Sequence, residues 1–393
     1  MNIHSKRFIL YKEVLMKLIH LSDLHLGKRV HEFSMQDEQK EILQQILNII
    51  DSEQPDGVLI AGDIYDKSVP PAEAVALFDD FLVSLSHRGL QVFIISGNHD
   101  SPERIAFGSR IMNGCGIHLS PVYDGNIQPF TMSDSYGNIN IYMLPFIKPT
   151  HVRRFFEDEE IVSYTDAVRV AIKHMNVDPN ARNILVTHQF VTGASRSDSE
   201  EISVGGSDNI DASVFKNFDY VALGHIHSPQ SCGAQHIRYC GTPLKYSFSE
   251  MNDVKSLTVI ELDERSPIIR EIPLVPLHDM SEIRGTFEAI TDPDYYMQTP
   301  KKDHYLRIVL TDENDIPDAI GRLRIIYKNL MTLEYDNTRT RKNILVSGAT
   351  HTESKSIFEL FSEFYELRNN APMSDEQIDY MRELIEKTEE ESL

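Results

Sequence analysis

Short apolar runs alternate with segments of helical periodicity through the first half of the chain. The runs predict buried strands at residues 18–21, 57–60, 92–95 and 184–186. Apolar positions spaced three and four apart predict amphipathic helices over residues 37–51 and 72–87. Strands that alternate with helices in this way are typical of an α/β layer architecture.

Later segments are richer in strands. Apolar runs at residues 220–223, 237–240 and 257–262 have few helical stretches between them, so a second, mixed sheet or a sandwich is expected. Beyond Pro276 the pattern changes to a small α+β domain. Its predicted elements are strands at 285–289, 305–310 and 330–335 and a helix over 317–329.

The same pattern predicts four regions along the chain. They are an N-terminal extension (1–15), a main α/β domain (16–275), the small α+β domain (276–345) and a helical tail (346–393). The first strand begins directly after Met16, which leaves open whether Met1 or Met16 is the natural start. The tail contains two amphipathic helical patterns, and from the pattern alone packing on the chain's own domains is their favoured role.

Charge and cysteine usage narrow the function classes. Acidic residues outnumber basic ones by 60 to 38, and the formal net charge is −22. Because the chain lacks an overall basic footprint, a polyanionic substrate must meet local cations, for which bound metal ions are candidates. The three cysteines form no C-x-x-C pair, so a disulfide framework and a thiolate zinc site are both disfavoured and the cytoplasm is the expected compartment.

A local basic cluster is the exception to the acidic balance. It consists of Arg322, Arg324 and Lys328, with Arg339, Arg341 and Lys342 nearby. A nucleic-acid backbone would bind such a patch by releasing counterions. A plain solvated helix face explains the cluster equally well.

Metal-binding residue types follow the ends of successive predicted strands. In chain order they are Asp23, His25, Asp63, Asn98, His99, Asp100, His188, His225 and His227. This edge is where ligands bind in open α/β sheets. Because alternate residues of an extended segment point to one side, each pair in an Asp-x-His or His-x-His motif is expected to hold one ion.

The donor set indicates the metal class. Carboxylate, imidazole and amide ligands without thiolate suit Mn²⁺, Fe²⁺, Zn²⁺ or Mg²⁺. Seven of these residues are candidate ligands, more than one tetrahedral ion needs: Asp23, His25, Asp63, Asn98, His188, His225 and His227. Two ions about 3.5–4 Å apart would use all seven if a carboxylate bridged them, and Asp63 is the expected bridge. Taken singly, each motif is more often a loop histidine, a helix N-cap or a turn, so the metal hypothesis depends on their joint occurrence.

The motif order resembles the calcineurin-like metallophosphoesterases, whose five signatures are Asp-x-His, Gly-Asp, Gly-Asn-His-Asp, a later His and Gly-His-x-His. More narrowly, residues 19–27, 61–66 and 240–250 resemble the SbcD family of bacterial double-strand-break repair nucleases. The run 240–250 contains no candidate ligand and is the most family-specific. The resemblance implies an α/β, four-layer sandwich of two mixed sheets flanked by helices, with a small α+β capping domain over DNA and a C-terminal helical tail.

The resemblance also implies roles for individual residues. It places one ion on Asp23, His25, Asp63 and His227 and a second on Asp63, Asn98, His188 and His225. Both ions would be Mn²⁺, with Mg²⁺ or another divalent ion as a substitute. His99 matches the family's catalytic histidine, and Asp100 would either orient the His99 ring or cap the following helix. Archaeal and eukaryotic relatives have a histidine at the position of Asp66, so this acidic residue stays outside the expected catalytic set.

The activity implied is an Mn²⁺-dependent DNA nuclease that hydrolyses phosphodiester bonds by a two-metal mechanism. It would act as a double-strand exonuclease and a single-strand or hairpin endonuclease. A phosphatase or a cyclic-nucleotide phosphodiesterase on the same core is the alternative, and the complete ligand set argues against a catalytically silent scaffold. The implied partners are DNA, an SbcC-type SMC-like ATPase docked on the tail, and a second copy of the chain within a heterotetramer.

Overall fold

The computed structural model describes residues 15–200, 208–263, 266–338, 340, 356–369 and 372–391. Its first sheet has six strands in the order β14-β13-β1-β4-β5-β6. They are β1 (Met16–Leu21), β4 (Gly57–Ala61), β5 (Gln91–Ile95), β6 (Ile117–Leu119), β13 (Ser256–Leu262) and β14 (Pro267–Pro273). Strands β1, β4, β5 and β6 are parallel, whereas β13 and β14 run antiparallel to their neighbours, so the sheet is mixed.

A second six-stranded sheet follows the order β11-β12-β10-β9-β8-β7. Its strands are β7 (Phe130–Asp134), β8 (Gly137–Leu144), β9 (Arg182–His188), β10 (Tyr220–Gly224), β11 (Gln230–Cys232) and β12 (Ala234–Tyr239). The four central strands are parallel and the two edge strands are antiparallel to them. A two-stranded ribbon, β2 (Arg29–Val30) with β3 (Phe33–Ser34), lies outside both sheets.

The side chains of each central strand alternate between two hydrophobic cores. In β4, Leu59 and Ala61 belong to a core shared by the two sheets, and Val58 and Ile60 belong to a core on the opposite face. In β9, Ile184 packs in the shared core. A strand covered on both faces is apolar throughout, which is why these strands appear in the sequence as continuous apolar runs. The two sheets therefore pack face to face with helices outside, and the predicted four-layer α/β sandwich is confirmed.

Helices cover the outer faces of the sheets. They are α1 (Gln36–Glu53), α2 (Ala72–His87), α3 (Pro102–Ile105), α4 (Ser109–Met112), α5 (Pro149–Arg153) and α6 (Tyr164–His174). Helix α6 begins with a capping box, in which the Ser163 hydroxyl accepts from the Asp166 N–H and the Asp166 carboxylate accepts from the Ser163 N–H. The predicted helices 37–51 and 72–87 are confirmed as α1 and α2.

A third sheet of three strands follows the sandwich. It contains β15 (Met280–Gly285), β16 (Tyr305–Leu310) and β17 (Leu330–Tyr335), with α7 (Phe287–Thr291), α8 (Pro293–Tyr296) and α9 (Ala319–Ile326) between them. All three strands are parallel. Parallel neighbours need helical crossovers, so this region is a small α/β unit rather than the predicted α+β unit.

The strand predicted at residues 285–289 is wrong. The strand ends at Gly285, and Thr286 caps α7 by accepting a hydrogen bond from the Ala289 N–H. Phe287 and Ile290, three positions apart, both pack in the core of the small unit, which requires a helix. The cap and the helical spacing therefore outweigh the apolar character that favoured a strand.

The tail contains two helices, α10 (Ile357–Asn369) and α11 (Asp375–Glu391). Tyr365 and Gln377 hydrogen-bond between them, and the Arg382 guanidinium lies 5.1 Å from the Phe358 ring centroid. The predicted extension up to residue 14 and the neighbouring basic residues Arg339, Arg341 and Lys342 lie outside the described residues. Within the described ranges, no helix combines the length and apolar character needed to span a bilayer.

Candidate metal centre

The metal-ligand candidates lie in the loops that follow β1, β4, β5, β9 and β10. The carboxyl ends of these strands come together at one edge of the sandwich. Asp23, His25, Asp63 and His225 all have positive φ values, between 43° and 106°. The expectation that each pair projects from an extended segment is therefore wrong, because sharp left-handed bends aim the side chains inward. Such strained backbone is characteristic of functional sites.

Glycines make room for these side chains. A Cβ atom at Gly97 would lie 2.1 Å from Asp63 Oδ1, and one at Gly224 would lie 1.9 Å from the Ala61 carbonyl oxygen and 2.7 Å from His188 Nδ1. Any larger residue would collide with the metal-ligand candidates or with the backbone that holds them. The glycines of the Gly-Asn-His-Asp and Gly-His-x-His motifs thus have a steric function.

One group of side chains, which we call the first-ion cluster, consists of Asp23, His25 and His227. Their candidate ligand atoms lie within 4.8 Å of one another, and all three residues are buried. The Nε2 atoms of His25 and His227 face each other at 3.1 Å. Asp63 is close by, with its Oδ2 atom 3.8 Å from His25 Nε2. These are the four residues that the family resemblance assigns to the first ion.

A second group, the second-ion cluster, consists of Asn98, His188 and His225. The Asn98 side-chain oxygen lies 2.9 Å from both His188 Nε2 and His225 Nδ1. Asp63 Oδ2 lies 3.3 Å from His188 Nε2. Asp63 thus stands between the two clusters, where a bridging carboxylate must be.

The nitrogen that each ring presents to the centre follows from the partner of its other nitrogen. His188 Nδ1 lies 2.8 Å from the Ala61 carbonyl, so it carries the proton and leaves the Nε2 lone pair facing Asn98 and Asp63. His227 Nδ1 lies 2.5 Å from the Ser199 hydroxyl. Within the described part of the chain, the buried atoms His25 Nδ1 and His225 Nε2 have no hydrogen-bond partner. Converging oxygen and imidazole donors fit divalent cations such as Mn²⁺ or Zn²⁺.

Burial and neighbouring charges shift the pKa values of these side chains strongly. Burial, assisted by the neighbouring His227 and His99, holds the pKa of His25 well below its usual value. Burial works against the Asp63 carboxylate, yet His188 and the other adjacent imidazoles hold its pKa well below the usual range. Asp63 is therefore ionised, as a bridging ligand must be.

The pKa of His188 is shifted upwards, in contrast to the lowered pKa of His25. Burial lowers its pKa, but the carboxylates of Asp63 and Asp23 and the Ala61 carbonyl outweigh burial and raise the pKa to about 9. Without a metal ion, His188 therefore carries a proton on both ring nitrogens at neutral pH, and Nε2 offers its lone pair only once the second proton has left. A cation that binds here replaces that proton in balancing two buried carboxylates.

His99 lies beside the first-ion cluster. Its Nδ1 atom lies 3.0 Å from the Asp66 carbonyl, and its Nε2 atom lies 4.0 Å from Asp63 Oδ2. The His99 backbone N–H donates to Asp63 Oδ1 at 2.9 Å. The ring therefore presents Nε2 to the centre from a position that is still partly accessible to solvent.

Asp100 has a different role from the two considered for it. Its carboxylate accepts from the backbone N–H groups of Ile64, Tyr65 and Gly97, and so ties the loop after β4 to the loop after β5. The helix-cap role is wrong, because Ser101 is the N-cap of α3. The group that orients His99 is the backbone carbonyl of Asp66, whose carboxylate is paired with Lys28 at 2.6 Å.

Sequence reasoning missed the residues that support the first-ion cluster. The Tyr246 hydroxyl donates to the Leu24 carbonyl at 2.7 Å, between Asp23 and His25. Gln39 donates to the His25 carbonyl at 2.7 Å. Tyr246 belongs to the run 240–250, which the sequence singled out although it contains no candidate ligand. That run was the available signal, and the structure gives it a structural role.

The three basic candidates for nucleic-acid binding are all exposed and have different surroundings. The Arg322 guanidinium lies 4.2 Å from the Phe287 ring centroid, and Arg324 donates to the Leu330 carbonyl at 3.3 Å. Lys328 lines a cavity of about 530 Å³ together with Lys302 and Tyr296. No described contact joins the three residues into one site.

Comparison with known proteins follows the same division of the chain. Residues 16–229 match the model of the calcineurin-like phosphoesterases. Residues 276–369 match the model described as the type 5 capsule protein repressor C-terminal domain. The first match contains every metal-ligand candidate, and the second contains the small α/β unit and the first tail helix.

Two curated relatives extend this similarity over most of the chain. The SbcD subunit of the nuclease SbcCD from Staphylococcus epidermidis is 31% identical over 379 residues, which are 94% of this chain and 98% of the relative. The protein of the same name from Staphylococcus saprophyticus is 32% identical over 81% of this chain and 84% of the relative. A dimetal phosphatase from Danio rerio, with 10% identity and a TM-score of 0.38 over 66% of this chain and 97% of that chain, is too distant to support an argument.

Proposed function

The chain belongs to the calcineurin-like phosphoesterases and, within them, to the SbcD family of nuclease subunits, and we propose that it cleaves DNA with two bound Mn²⁺ ions. Membership makes it a metal-dependent phosphodiesterase of the nuclease type. The observation that carries the proposal is the position of Asp63, a buried carboxylate between two groups of inward-facing donors. This is the arrangement that a pair of ions needs.

The residues that would hold the ions are those of the two clusters together with Asp63. Divalent ions bound there would supply positive charge for the phosphodiester and would lower the pKa of a water molecule towards neutrality. The chain itself fixes the ligand geometry, because His188 and His227 each have their second ring nitrogen hydrogen-bonded. The ligands are buried, so bulk water is excluded from the centre. The electrostatic attraction between a cation and its ligands is therefore stronger there than in water.

His99 is the proposed catalytic acid. Its Nδ1 proton is held by the Asp66 carbonyl, so Nε2 is the atom that exchanges a proton at the centre. A positioned acid that protonates a leaving sugar oxygen contributes about 10²–10⁴-fold to the rate. Asp100 supports this residue indirectly by holding together the two loops that carry Asp63 and His99.

We propose that the substrate is DNA, cut as double-strand ends and as single-strand or hairpin structures. The partner would be an SbcC-type SMC-like ATPase in the bacterial cytoplasm. Helices α10 and α11 leave the apolar side chains of Ile357 and Tyr380 exposed, and this exposure supports their role as a docking element. The exposed basic residues Arg322, Arg324 and Lys328 are proposed to contact the DNA backbone.

A homodimer is proposed through the helices after Asp100. Phe107 and Ile111 are 83% and 81% exposed, and Val69, in the loop before α2, is 66% exposed. Arg104 donates to the Ser68 carbonyl at 3.0 Å and so brings the loop of Val69 beside this segment, and exposed apolar side chains grouped in this way mark interaction surfaces. Phe107→Glu should give a monomer by light scattering, whereas the control Val162→Glu, at another exposed apolar position, should leave the dimer intact. A wild-type protein that is monomeric at all concentrations contradicts the proposal.

The nuclease assay tests the activity. Purified protein with Mn²⁺ is incubated with labelled linear and hairpin DNA, with and without the ATPase. His99→Ala should lose about 10²–10⁴-fold in rate while retaining both ions, because His99 acts in the chemistry and not in coordination. The control His87→Ala changes an exposed histidine at the end of α2 and should cleave normally.

The same assay includes the alternative substrates. A cyclic nucleotide and a phosphomonoester are offered under the conditions used for DNA. Hydrolysis of either in preference to DNA would replace the nuclease proposal with a phosphodiesterase or phosphatase. Loss of bound Mn²⁺ in proportion to activity in His99→Ala would make His99 a ligand and not an acid.

A further inference from the structure

Behind His227, on the side away from His25, lies a buried carboxylate that the proposed mechanism does not use. Glu250 is fully buried and belongs to the run 240–250. Its Oε1 atom accepts a hydrogen bond from the Ser199 hydroxyl, and the same hydroxyl lies 2.5 Å from His227 Nδ1. The direct distance from His227 Nδ1 to Glu250 Oε1 is 3.8 Å, so Ser199 is the link between them.

The directions of these hydrogen bonds follow from the groups involved. A carboxylate can only accept, so the Ser199 proton points to Glu250. The Ser199 oxygen then has lone pairs available for His227, and the imidazole must donate from Nδ1. This fixes the His227 tautomer and leaves the Nε2 lone pair facing His25 Nε2 at 3.1 Å.

The Glu250 carboxylate is itself held and neutralised. Lys255, which is also buried, donates to Glu250 Oε2 at 2.6 Å and to the His227 carbonyl at 2.9 Å. Lys255 therefore holds the backbone of His227 while Glu250 holds its ring through Ser199. A buried charge pair of this kind is costly to form, and its geometry is best explained by what it positions.

We propose that Glu250 is a positioning residue that sets the tautomer and orientation of His227 through the Ser199 hydroxyl. The inference deepens the proposed function and rests on His227 as a ligand of the first ion. It also assigns a purpose to the ligand-free run 240–250. Outer hydrogen-bond partners of metal-binding histidines typically change metal affinity about 10–100-fold when removed.

The experiment uses the full-length chain and the variants Ser199→Ala and Glu250→Gln. Ser199→Ala leaves the Glu250–Lys255 pair intact, so it tests the link without an unpaired buried charge. The control is Ser197→Ala, because the Ser197 hydroxyl lies 3.3 Å from Glu250 Oε1 and 2.8 Å from the Ser199 hydroxyl, whereas the contact with His227 Nδ1 is made by Ser199. Two quantities are measured: Mn²⁺ affinity by calorimetric titration, and the His227 tautomer by nitrogen NMR of the metal-free protein.

We expect Ser199→Ala and Glu250→Gln each to lower the affinity for one of the two Mn²⁺ ions about 10–100-fold and to leave the affinity for the other unchanged. The double variant should be no worse than either single variant, because the two residues act in series. His227 should lose its fixed Nδ1–H tautomer in both. Ser197→Ala should resemble the wild type.

Unchanged affinity and tautomer in Ser199→Ala would overturn the inference, as would an equal loss in Ser197→Ala. Failure of the proposed function is distinguishable from these results. A wild-type chain that keeps the Nδ1–H tautomer but binds no Mn²⁺ contradicts the metal assignment, while the tautomer measurement still supports the Ser199 link.

Discussion

The two clusters of the metal centre are held in different ways. In the second-ion cluster, the His188 ring is anchored on the backbone carbonyl of Ala61, at the end of strand β4. In the first-ion cluster, His227 is held by the Ser199 hydroxyl, and the backbone around His25 is held by Tyr246 and Gln39. The His188 ring therefore depends on a main-chain atom of the sheet, whereas His227 and the loop of His25 depend on side chains from distant segments.

This difference separates what the fold supplies from what particular side chains supply. The Ala61 carbonyl cannot be removed by substitution, so the second-ion cluster can be disturbed only by changing the ligands or the packing around them. The first-ion cluster can be weakened at positions that touch no metal. The run 240–250 belongs to this second kind of support, because Tyr246 contacts the loop of Asp23 and His25.

The largest effect is expected from Asp63→Asn, which removes the one carboxylate common to both clusters. Both ions should bind more weakly, and activity should fall by about 10³-fold or more, because the bridging charge serves both positions. Metal content of the dialysed protein and cleavage rate are the measurements. His227→Ala is the matched control and should lose chiefly one ion. Loss of only one ion in Asp63→Asn would remove Asp63 as the bridge.

Gly224→Ala should disturb the backbone-held cluster. The added methyl group would lie 1.9 Å from the Ala61 carbonyl oxygen and 2.7 Å from His188 Nδ1, so the anchor of His188 must shift. Overpacking of this kind costs about 1–3 kcal/mol of folding stability, so the melting temperature should fall. Binding of the second ion should also weaken. Gly89→Ala is a useful comparison, because a Cβ there meets no atom within 4 Å, although its φ of 71° also adds strain. If both variants bind two ions normally, the steric argument fails.

The contrast between the clusters also shows what the sequence could predict. The ligands were predictable because they follow strands whose apolar runs are continuous, and parallel strands bring their ends to one edge. The residues that hold these ligands in place could not be predicted. Tyr246 and Leu24 are 222 positions apart, and no local sequence pattern indicates such a contact. The helix-cap role considered for Asp100 is wrong for a related reason. Its backbone partners Ile64 and Tyr65 belong to a different loop.

Raising the pH should strengthen metal binding in the second-ion cluster selectively. In the metal-free protein the pKa of His188 is raised to about 9, so at pH 7 a proton must leave when a cation binds. Affinity for the second ion should rise by at most about tenfold per unit between pH 7 and 9 and then level off. The pKa of His25 is well below its usual value, so this ring is already neutral and has no proton to release when the first ion binds in this range.

Calorimetric titration in two buffers of different ionisation enthalpy measures the number of protons released. Close to one proton is expected with the second ion at pH 7. Equal pH dependence for both ions would show that His188 is not the group that competes with the metal.

The smallest predicted effect compares two buried tyrosines. Tyr246→Phe removes the hydroxyl that donates to the Leu24 carbonyl and accepts from Gln39, while the ring stays against His25 with centroids 5.8 Å apart. Tyr239→Phe removes a hydroxyl that donates to the Gln189 carbonyl at 2.7 Å, next to His188. The two changes delete the same atom in equally buried surroundings, one beside each cluster.

Each variant should lose about 1–3 kcal/mol of stability, because each hydroxyl makes two hydrogen bonds: Tyr246 also accepts from Gln39, and Tyr239 also accepts from the Val191 N–H. Only Tyr246→Phe should also lower metal affinity, by about tenfold for the first ion, because the loop carrying Asp23 and His25 depends on that hydroxyl. His188 keeps its anchor on Ala61 in Tyr239→Phe, so binding of the second ion should not change. Melting curves and Mn²⁺ titrations of the pair separate stability from positioning. Equal loss of affinity in both variants would mean that the backbone-held cluster also depends on remote side chains, and the distinction between the two clusters would fail.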